Sequence, residues 1–553
     1  MSLPAHPLAF VTNVSRLDFG FRTEHAGAAV TLGGTMRTGR PLLAAAALAV
    51  ATTTAAYVFG PAQSPAASEK KTTVAAPPAA ACKADARFPK RELRGVWIAT
   101  TQNIDWPSKA GQSIDRQKAD YVKILDSAAK RRLNAVFVQV RPASDALYKS
   151  SLEPWSQYLT GTAGKDPGWD PLPFLIGEAH KRGMEFHAWF NPYRASYGAS
   201  TSALPANHPA RQHPDWTVKY GGRLYYNPGL PAVRDHVTKV ITDVVDRYDV
   251  DGVHFDDYFY PYPVAGAKFD DTAAFRKYGK GDKLADWRRG NVNKLVAQVD
   301  EAVHASKRHV KFGISPFGIW RNKAQDPTGS STSGMSAYDS IYADARAWIK
   351  AGTVDYVLPQ LYWPRGHKLA DYTTLTRWWA NEVKGSDVQL YIGQGLYRVG
   401  AKDDRAWLKP GEIAAQVGVN RASKQVDGAV YFSAKNLVAN PLGSIDRLTK
   451  THYSRPALLP VQGSLGGSAP AAPAGAKAEG TKLSWQPSQG ARAYAVYQVP
   501  KSGKDCHTTD ARNLVAVVSD PSYAVQSAGT YLVTSLDRLH HESKAVKVKV
   551  DAV

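Results

Sequence analysis

The feature that most constrains this chain is a series of eight short β-branched runs between Leu93 and Phe432, most of them followed by an amphipathic helical stretch. The runs are Leu93–Ala99, Ala135–Val140, Glu185–Phe190, Gly252–Phe255, Lys311–Ser315, Tyr356–Gln360, Gln389–Gly393 and Gly428–Phe432. Between them, stretches such as DRQKADYVKILDSAAKRR, PLPFLIGEAHKRG and PAVRDHVTKVITDVVDRY repeat apolar residues at helical spacing. A doubly wound open sheet shares this alternation but rarely runs to eight units in this order, so the count favours a closed barrel. The expected fold class is α/β: a (β/α)8 TIM barrel followed by a small C-terminal β-sandwich.

The flanks read differently. From Met36 the chain has Arg37 and Arg40, then an uncharged Ala/Leu/Val run to about Gly60, then small residues. That is the pattern of a signal peptide, nearly long enough to serve as an uncleaved anchor. Residues 1–35 carry Asp18 and Glu24 and have no place in such a signal, so translation is expected to begin at Met36. The expected organisation is an extension at 1–35, a signal peptide or N-terminal anchor at 36–65, and a linker at 66–90. The barrel follows at 91–455, a second linker at 456–480, and a β-sandwich module at 481–553. TKLSWQPSQGARAYAVYQV and GTYLVTSLDRLHHESKAVKVKV in that last module alternate with period two, which resembles a fibronectin type III module with Trp485 in its core. Such a tail is expected to act as a spacer or a weak wall-adhesion module.

The formal net charge of +21 suits acidic partners, but no Lys/Arg block marks a nucleic-acid tail. Nucleic acid is therefore not an expected partner, and a membrane is one only if the leader stays uncleaved. Cys82 and Cys506 are too far apart for a zinc ribbon or a redox CxxC pair; outside the cell they have the option of one disulfide. No motif demands a metal or organic cofactor, and oligomeric state is not encoded in any motif.

A barrel enzyme builds its site from the loops after its strands. Those loops read TTQNIDWPS, RPASDALYKSSLEPWS, NPYRA, DDYFYPYP, PFGIWRN, LYWPR, QGLYR and SAKN, a vocabulary of aromatics, Arg, Asn and Asp. Sugars present apolar C–H faces to aromatic rings and hydroxyls to a few fixed polar groups. Trp106, Trp155, Tyr193, Tyr258, Tyr260, Trp320, Tyr362, Trp363 and Tyr397 are the candidate platforms, roughly half of them expected to be structural. Arg141, Arg194, Arg321 and Arg398 are candidates for hydroxyls, acetamido carbonyls or a lactyl carboxylate; Asp105, Asp145, His187, Asn191, His254 and Gln360 complete the binding set.

The best catalytic position is Asp256 with Asp257, at the end of DVDGVHFDDYFYP. His254 and Asp256 share parity, so both should face the barrel interior. Glycoside hydrolysis needs two carboxyl groups, and neighbouring carboxylates drive their pKa values apart. Asp105, Asp145, Glu153 and Asp326 compete with Asp257 as partner carboxyl, with Glu185 disfavoured near its strand start. Alternatively the two aspartates act together on a substrate whose 2-acetamido group is the nucleophile.

Together RELRGVWIATTQNIDWPS, NAVFVQVRPASDALYKSSLEPWSQYLTG, GMEFHAWFNPYR, VDGVHFDDYFYP, WRRGNVN, FGISPFGIWRN and DYVLPQLYW resemble the family-10-like glycosyl hydrolases of bacteria, in order, from about Arg91 to Asn440. The resemblance implies a barrel that hydrolyses glycosidic bonds, with peptidoglycan glycan strands poor in stem peptides as substrate. It also places Asp256 and Asp257 in the family's acidic strand-end motif. YNPGLPAVRDH carries Ala232 where the resemblance leads one to expect Glu, which leaves open an inactive wall-glycan-binding protein. A metal-dependent deacetylase or amidase using His187, His254 and Asp256 is the weaker alternative, since neither HExxH nor an early His-x-His occurs.

Overall fold

The computed structural model describes Asp85 and residues 87–500 and 507–551; the leader, the first linker and both cysteines lie outside the described residues. The eight expected strands are present as β1 (Leu93–Ile98), β2 (Ala135–Arg141), β3 (Glu185–Phe190), β4 (Gly252–Phe255), β5 (Lys311–Ile314), β6, β7 (Gln389–Gln394) and β8 (Val426–Tyr431). β6 is split into Tyr356–Val357 and Gln360–Leu361, and both pieces pair with β7. All neighbours are parallel and in sequence order, and β8 pairs back onto β1 to close the barrel.

The strands are buried on both faces, and their parity divides the core in two. Val96, Ile98, Val136, Val138, Phe186, Ala188, Val253 and Phe255 face outward into the layer shared with the surrounding helices. Leu93, Trp97, Phe137, Trp189, Tyr356, Tyr391 and Val430 fill the interior. This inner layer alternates large rings with glycines: a Cβ on Gly252 would lie 2.3 Å from the His187 ring, and one on Gly313 2.3 Å from the Tyr356 ring. The helices begin where the sequence caps them. Ser113 accepts from Arg116 N ahead of Ile114–Lys130, and Asp170 accepts from Leu172 N ahead of Pro171–Lys181, which opens on proline.

The tail consists of two antiparallel sheets, one of three strands (Ala474–Glu479, Lys482–Gln486, Ser522–Ala524) and one of four (Ala493–Gln498, Leu514–Val518, Gly529–Leu536, Val546–Val550). They share a core in which Trp485 packs edge-on against Tyr494. Two expectations need correction here. Residues 456–480 are not simply a linker: Leu458 exchanges backbone hydrogen bonds with the segment leading into β1, Gln462 is buried, and Ala474–Glu479 is a strand. Within this Gly/Ala/Pro-rich stretch Leu458, Leu459 and Leu465 are buried, Leu459 against the barrel interior and Leu458 against the four-stranded sheet of the tail. Nor does the tail hang free as a spacer. Lys90 pairs with Glu542 at 2.5 Å, Arg538 with Asp249 at 2.8 Å, and His540 reaches Glu185 at 2.6 Å inside the barrel floor. Among the described residues, no helix is long and apolar enough to cross a membrane.

Candidate active site

β4 delivers Asp256 and Asp257 to the upper mouth of the barrel, where both are buried. Asp256 Oδ2 accepts from Asn191 Nδ2 at 2.9 Å and Trp189 Nε1 at 3.2 Å, while Oδ1 accepts from Tyr258 N at 3.2 Å. Asn191 is itself aimed by Gln139, whose Nε2 donates to Asn191 Oδ1 at 2.7 Å. The Tyr262 hydroxyl donates to Asp257, and the Gln360 amide hydrogen-bonds the same carboxyl. Burial, and then the adjacent Asp257 charge, push Asp256 up to about 7. Burial also raises Asp257, with Tyr262 and Gln360 opposing it. Near neutral pH the pair therefore still carries a proton part of the time, which two exposed aspartates would not.

Around the pair runs a series of edge-to-face rings. Tyr258 meets Tyr262 at 5.5 Å, Tyr262 meets Phe317 at 6.2 Å, and Phe317 meets Trp363 at 5.6 Å. On the far side Tyr362 meets Tyr397 at 5.6 Å and Phe432 at 6.1 Å. Arg194 lies over the Tyr258 ring at 4.3 Å and donates to the Tyr197 hydroxyl at 2.7 Å. Its guanidinium is buried, forms no carboxylate pair among the described residues, and keeps Nε without a partner. The other candidate arginines are spent: Arg141 on Glu153, Arg321 on Asp339 and Asp326, Arg398 on Asp403.

Of the expected binding residues, Asn191, Arg194, Tyr258, Gln360, Tyr362, Trp363 and Tyr397 thus gather near the acidic pair. Several others serve the scaffold instead. Trp106 is fully buried against Tyr121 and donates to Gln117 O, because its loop folds back under the rim. Asp105 accepts from Ala99 N, Ser433 Oγ and Lys435 N, each at 2.7 Å, tying the loop after β1 to the end of β8. Asp145 caps its own loop by accepting from Ala143 N, and Trp155 packs half-buried on the core with a backbone bridge to Ala146. Tyr193 and Tyr260 are core residues, and Trp320 stacks on Trp378 at 5.9 Å. His187 and His254 do face inward as parity requires, but below the mouth, each with both ring nitrogens hydrogen-bonded inside the barrel. That leaves no free imidazole donor pair for a metal beside Asp256.

The rival carboxyls fall away for the same reason. Burial opposes ionisation of Glu153, yet Arg141 and His236 outweigh it and hold the carboxyl well below its usual range. Asp326 is engaged by Thr328 and Arg321, and Glu185 sits at the floor with Lys311. Asp257 makes no ion pair among the described residues and stays the candidate partner of Asp256. Ala232 lies exposed in the first turn of the helix Pro231–Arg247. The residues missed from sequence are Trp97, Gln139, Trp189, Tyr262, Ser315 and Phe432. Parity would have found Trp189, which shares its face with His187 and Asn191. Tyr262 stood in the DDYFYPYP loop but could not be chosen over its three aromatic neighbours.

The chain is 47% identical over 479 residues to glycosyl hydrolase YngK of Bacillus subtilis strain 168, covering 83% of this chain and 93% of that protein. It is 41% identical over 362 residues to glycosyl hydrolase DigH of Escherichia coli K12, covering 62% of this chain and 82% of that one. Among solved structures, the glycoside hydrolase domain of PgaB (BpsB) from Bordetella bronchiseptica is similar at 15% identity and a TM-score of 0.45, over 66% of this chain and 99% of that domain. The profile described as glycosyl hydrolase-like 10 matches residues 92–409, more than half of the chain, and the protein belongs to that family of glycosyl hydrolases.

Proposed function

We propose that the protein is an exported glycosidase that cuts the glycan strands of peptidoglycan where stem peptides have been removed. The observation that carries this reading is the buried Asp256–Asp257 pair, whose proton affinity is raised toward neutral pH, set among aromatic side chains. Asp256 gives its proton to the glycosidic oxygen as the C1–O bond breaks. Asp257, held by Tyr262 and Gln360, orients the 2-acetamido N–H so that the acetamido oxygen forms the new bond to C1. Water then opens that intermediate, returning a proton to Asp256. The leader at 36–65 takes the protein out of the cytoplasm, and its +21 charge favours an anionic wall. The tail, read as a fibronectin type III-like sandwich, braces the barrel floor.

Arg194 selects the substrate class. A buried guanidinium that touches Asp256 and Asp257 only through charge, with no carboxylate hydrogen-bonded to it among the described residues, suits a sugar that brings one, and peptide-free strands expose a lactyl carboxylate that stem peptides otherwise cap. Wild type should therefore hydrolyse peptide-free strands faster than strands whose lactyl carboxyls are amidated. Arg194→Gln should raise KM on the free-acid strands about tenfold or more, the worth of one charge-assisted hydrogen bond. Equal rates on both strands, in wild type, would remove the carboxylate from the account.

The acid role sets the pH profile. Activity should fall as pH rises through about 7, where Asp256 loses its proton. Asp257→Asn removes a negative neighbour, which lowers the pKa of Asp256 and moves that alkaline limb to lower pH in whatever activity remains. A limb that stays in place, followed by kcat/KM from pH 5 to 9, would reassign the titrating group.

A further inference from the structure

Between β3 and the helix Pro231–Arg247 the chain leaves the barrel and builds a small antiparallel sheet of its own, Arg194–Ser196, Thr217–Tyr220 and Arg223–Tyr226. Tyr220 pairs with Arg223 across Gly221 and Gly222, whose φ values of 55° and 75° suit a two-residue hairpin turn and favour glycine. The turn lies against the loop after β4: a Cβ on Gly221 would come within 3.2 Å of the Val264 side chain. The Tyr220 ring is buried against Tyr225 at 6.2 Å and Phe269 at 6.0 Å, which fixes where its hydroxyl points. That hydroxyl bridges two backbone groups of the β4 loop, accepting from Val264 N at 2.7 Å and donating to Tyr262 O at 3.2 Å. The sequence explains why a side chain is used there. Pro261 and Pro263 flank Tyr262 and carry no N–H, so the stretch YPYPV offers few backbone donors to a neighbouring strand, and residues 261–264 have no regular secondary structure.

We propose that Tyr220 is a positioning residue for glycoside hydrolysis, pinning the segment 261–264 so that the Tyr262 hydroxyl stays on Asp257. The small sheet meets the acidic loop a second time through Arg194, whose strand pairs with Tyr225 and whose guanidinium lies over Tyr258, 5.5 Å from the Tyr262 ring. One insert thus places both the residue that faces the substrate and the loop that orients Asp257. A merely structural role for Tyr220 would change stability alone, whereas a positioning role also changes how readily Asp257 takes a proton. Asp257 faces Asp256, Tyr258 and Tyr262 on its own loop, Arg194 on the small sheet, and Gln360 and Tyr362 at the end of β6. Of these, Tyr262, Gln360 and Arg194 favour the carboxylate against its burial. Loosening Tyr262 leaves burial less opposed, so Asp257 is protonated at higher pH.

The inference rests on Asp257 acting as the ionised partner of Asp256, so Tyr262→Phe is measured beside it. Tyr220→Phe removes only the bridging hydroxyl and keeps the ring packed on Tyr225 and Phe269. In the full-length protein it should lower kcat on peptide-free glycan strands about fivefold, the worth of about one hydrogen bond, with KM changed less than roughly twofold. The acid limb of its kcat/KM profile should move to higher pH. Tyr262→Phe should move that limb in the same direction and further. The double variant Tyr220→Phe/Tyr262→Phe should move it no further than Tyr262→Phe alone, because Tyr220 acts through Tyr262. A limb that stays in place in Tyr220→Phe but moves in Tyr262→Phe would overturn the proposal, whatever happens to the melting temperature, and leave the reading of Asp257 intact. Shifts that add in the double variant would overturn it too. A limb unmoved in both single variants would remove the role of Asp257 itself, and the proposal with it.

Discussion

Replacing Glu153 by Ala should cost about 3–5 kcal/mol of stability, the largest structural effect expected of any single change near the site. Arg141 and Glu153 are fully buried and joined by two hydrogen bonds, Nε to Oε2 at 2.7 Å and Nη2 to Oε1 at 2.5 Å. Ser144 Oγ at 2.8 Å and His236 Nε2 at 3.1 Å complete the shell of the carboxylate. Without it, the guanidinium is left charged in a dry site, which costs far more than the net worth of the intact pair. The damage should reach the chemistry, because Arg141 Nη1 also holds the carbonyls of Asn191 and Pro192 just past β3. Asn191 is the donor to Asp256. Urea denaturation of Glu153→Ala with an unchanged midpoint would show that the loop after β2 does not depend on this pair.

Asp256→Asn is expected to lower kcat by about 10²–10⁴ on any glycan the enzyme cuts, the usual contribution of a positioned proton donor. The amide keeps the shape but has no acidic proton to give, and its NH2 must face one of the N–H donors that the carboxyl oxygens accept from. Stability should move the other way. The folded pKa of Asp256 lies above its unfolded value, so its contribution is fully present in acid and is lost as pH rises through about 7. Asn carries no such penalty, so the melting temperature of Asp256→Asn relative to wild type should rise between pH 5 and pH 8. Loss of rate together with a stability difference that shifts in favour of Asp256→Asn as pH rises separates a catalytic acid from a residue that merely orders its loop.

The barrel was legible because its two periodicities are strong: the strand runs are short and rich in apolar residues, and helices such as Ile114–Lys130, Pro171–Lys181 and Tyr372–Val383 carry a capping side chain and an apolar stripe. The acidic pair was legible for a related reason, since strand parity and the position of Asp256 at a strand end follow from the chain alone. Individual aromatics were not. Trp106, Tyr193, Tyr260 and Trp320 have the composition of a sugar platform, but their loops turn them into the helical layer, and only the three-dimensional path decides that. Arg141 and Arg194 look alike in sequence; what separates them is that Arg141 is hydrogen-bonded to a carboxylate twelve residues downstream, whereas Arg194 acts on Asp256 and Asp257 only through its charge. The role of the tail was hidden for the same reason. His540 and Glu185 are 355 positions apart, and no local pattern announces that one will cap the other.

The central claim is that this protein breaks glycosidic bonds with Asp256 as proton donor. It is tested most directly by digesting peptide-free glycan strands in ¹⁸O-water and reading the soluble products by mass spectrometry. Wild type should release fragments carrying one ¹⁸O at each new reducing end, and Asp256→Asn, folded and equally soluble, should release essentially none. Acetate or peptide released without chain cleavage, or labelled fragments from Asp256→Asn at the wild-type rate, would contradict it.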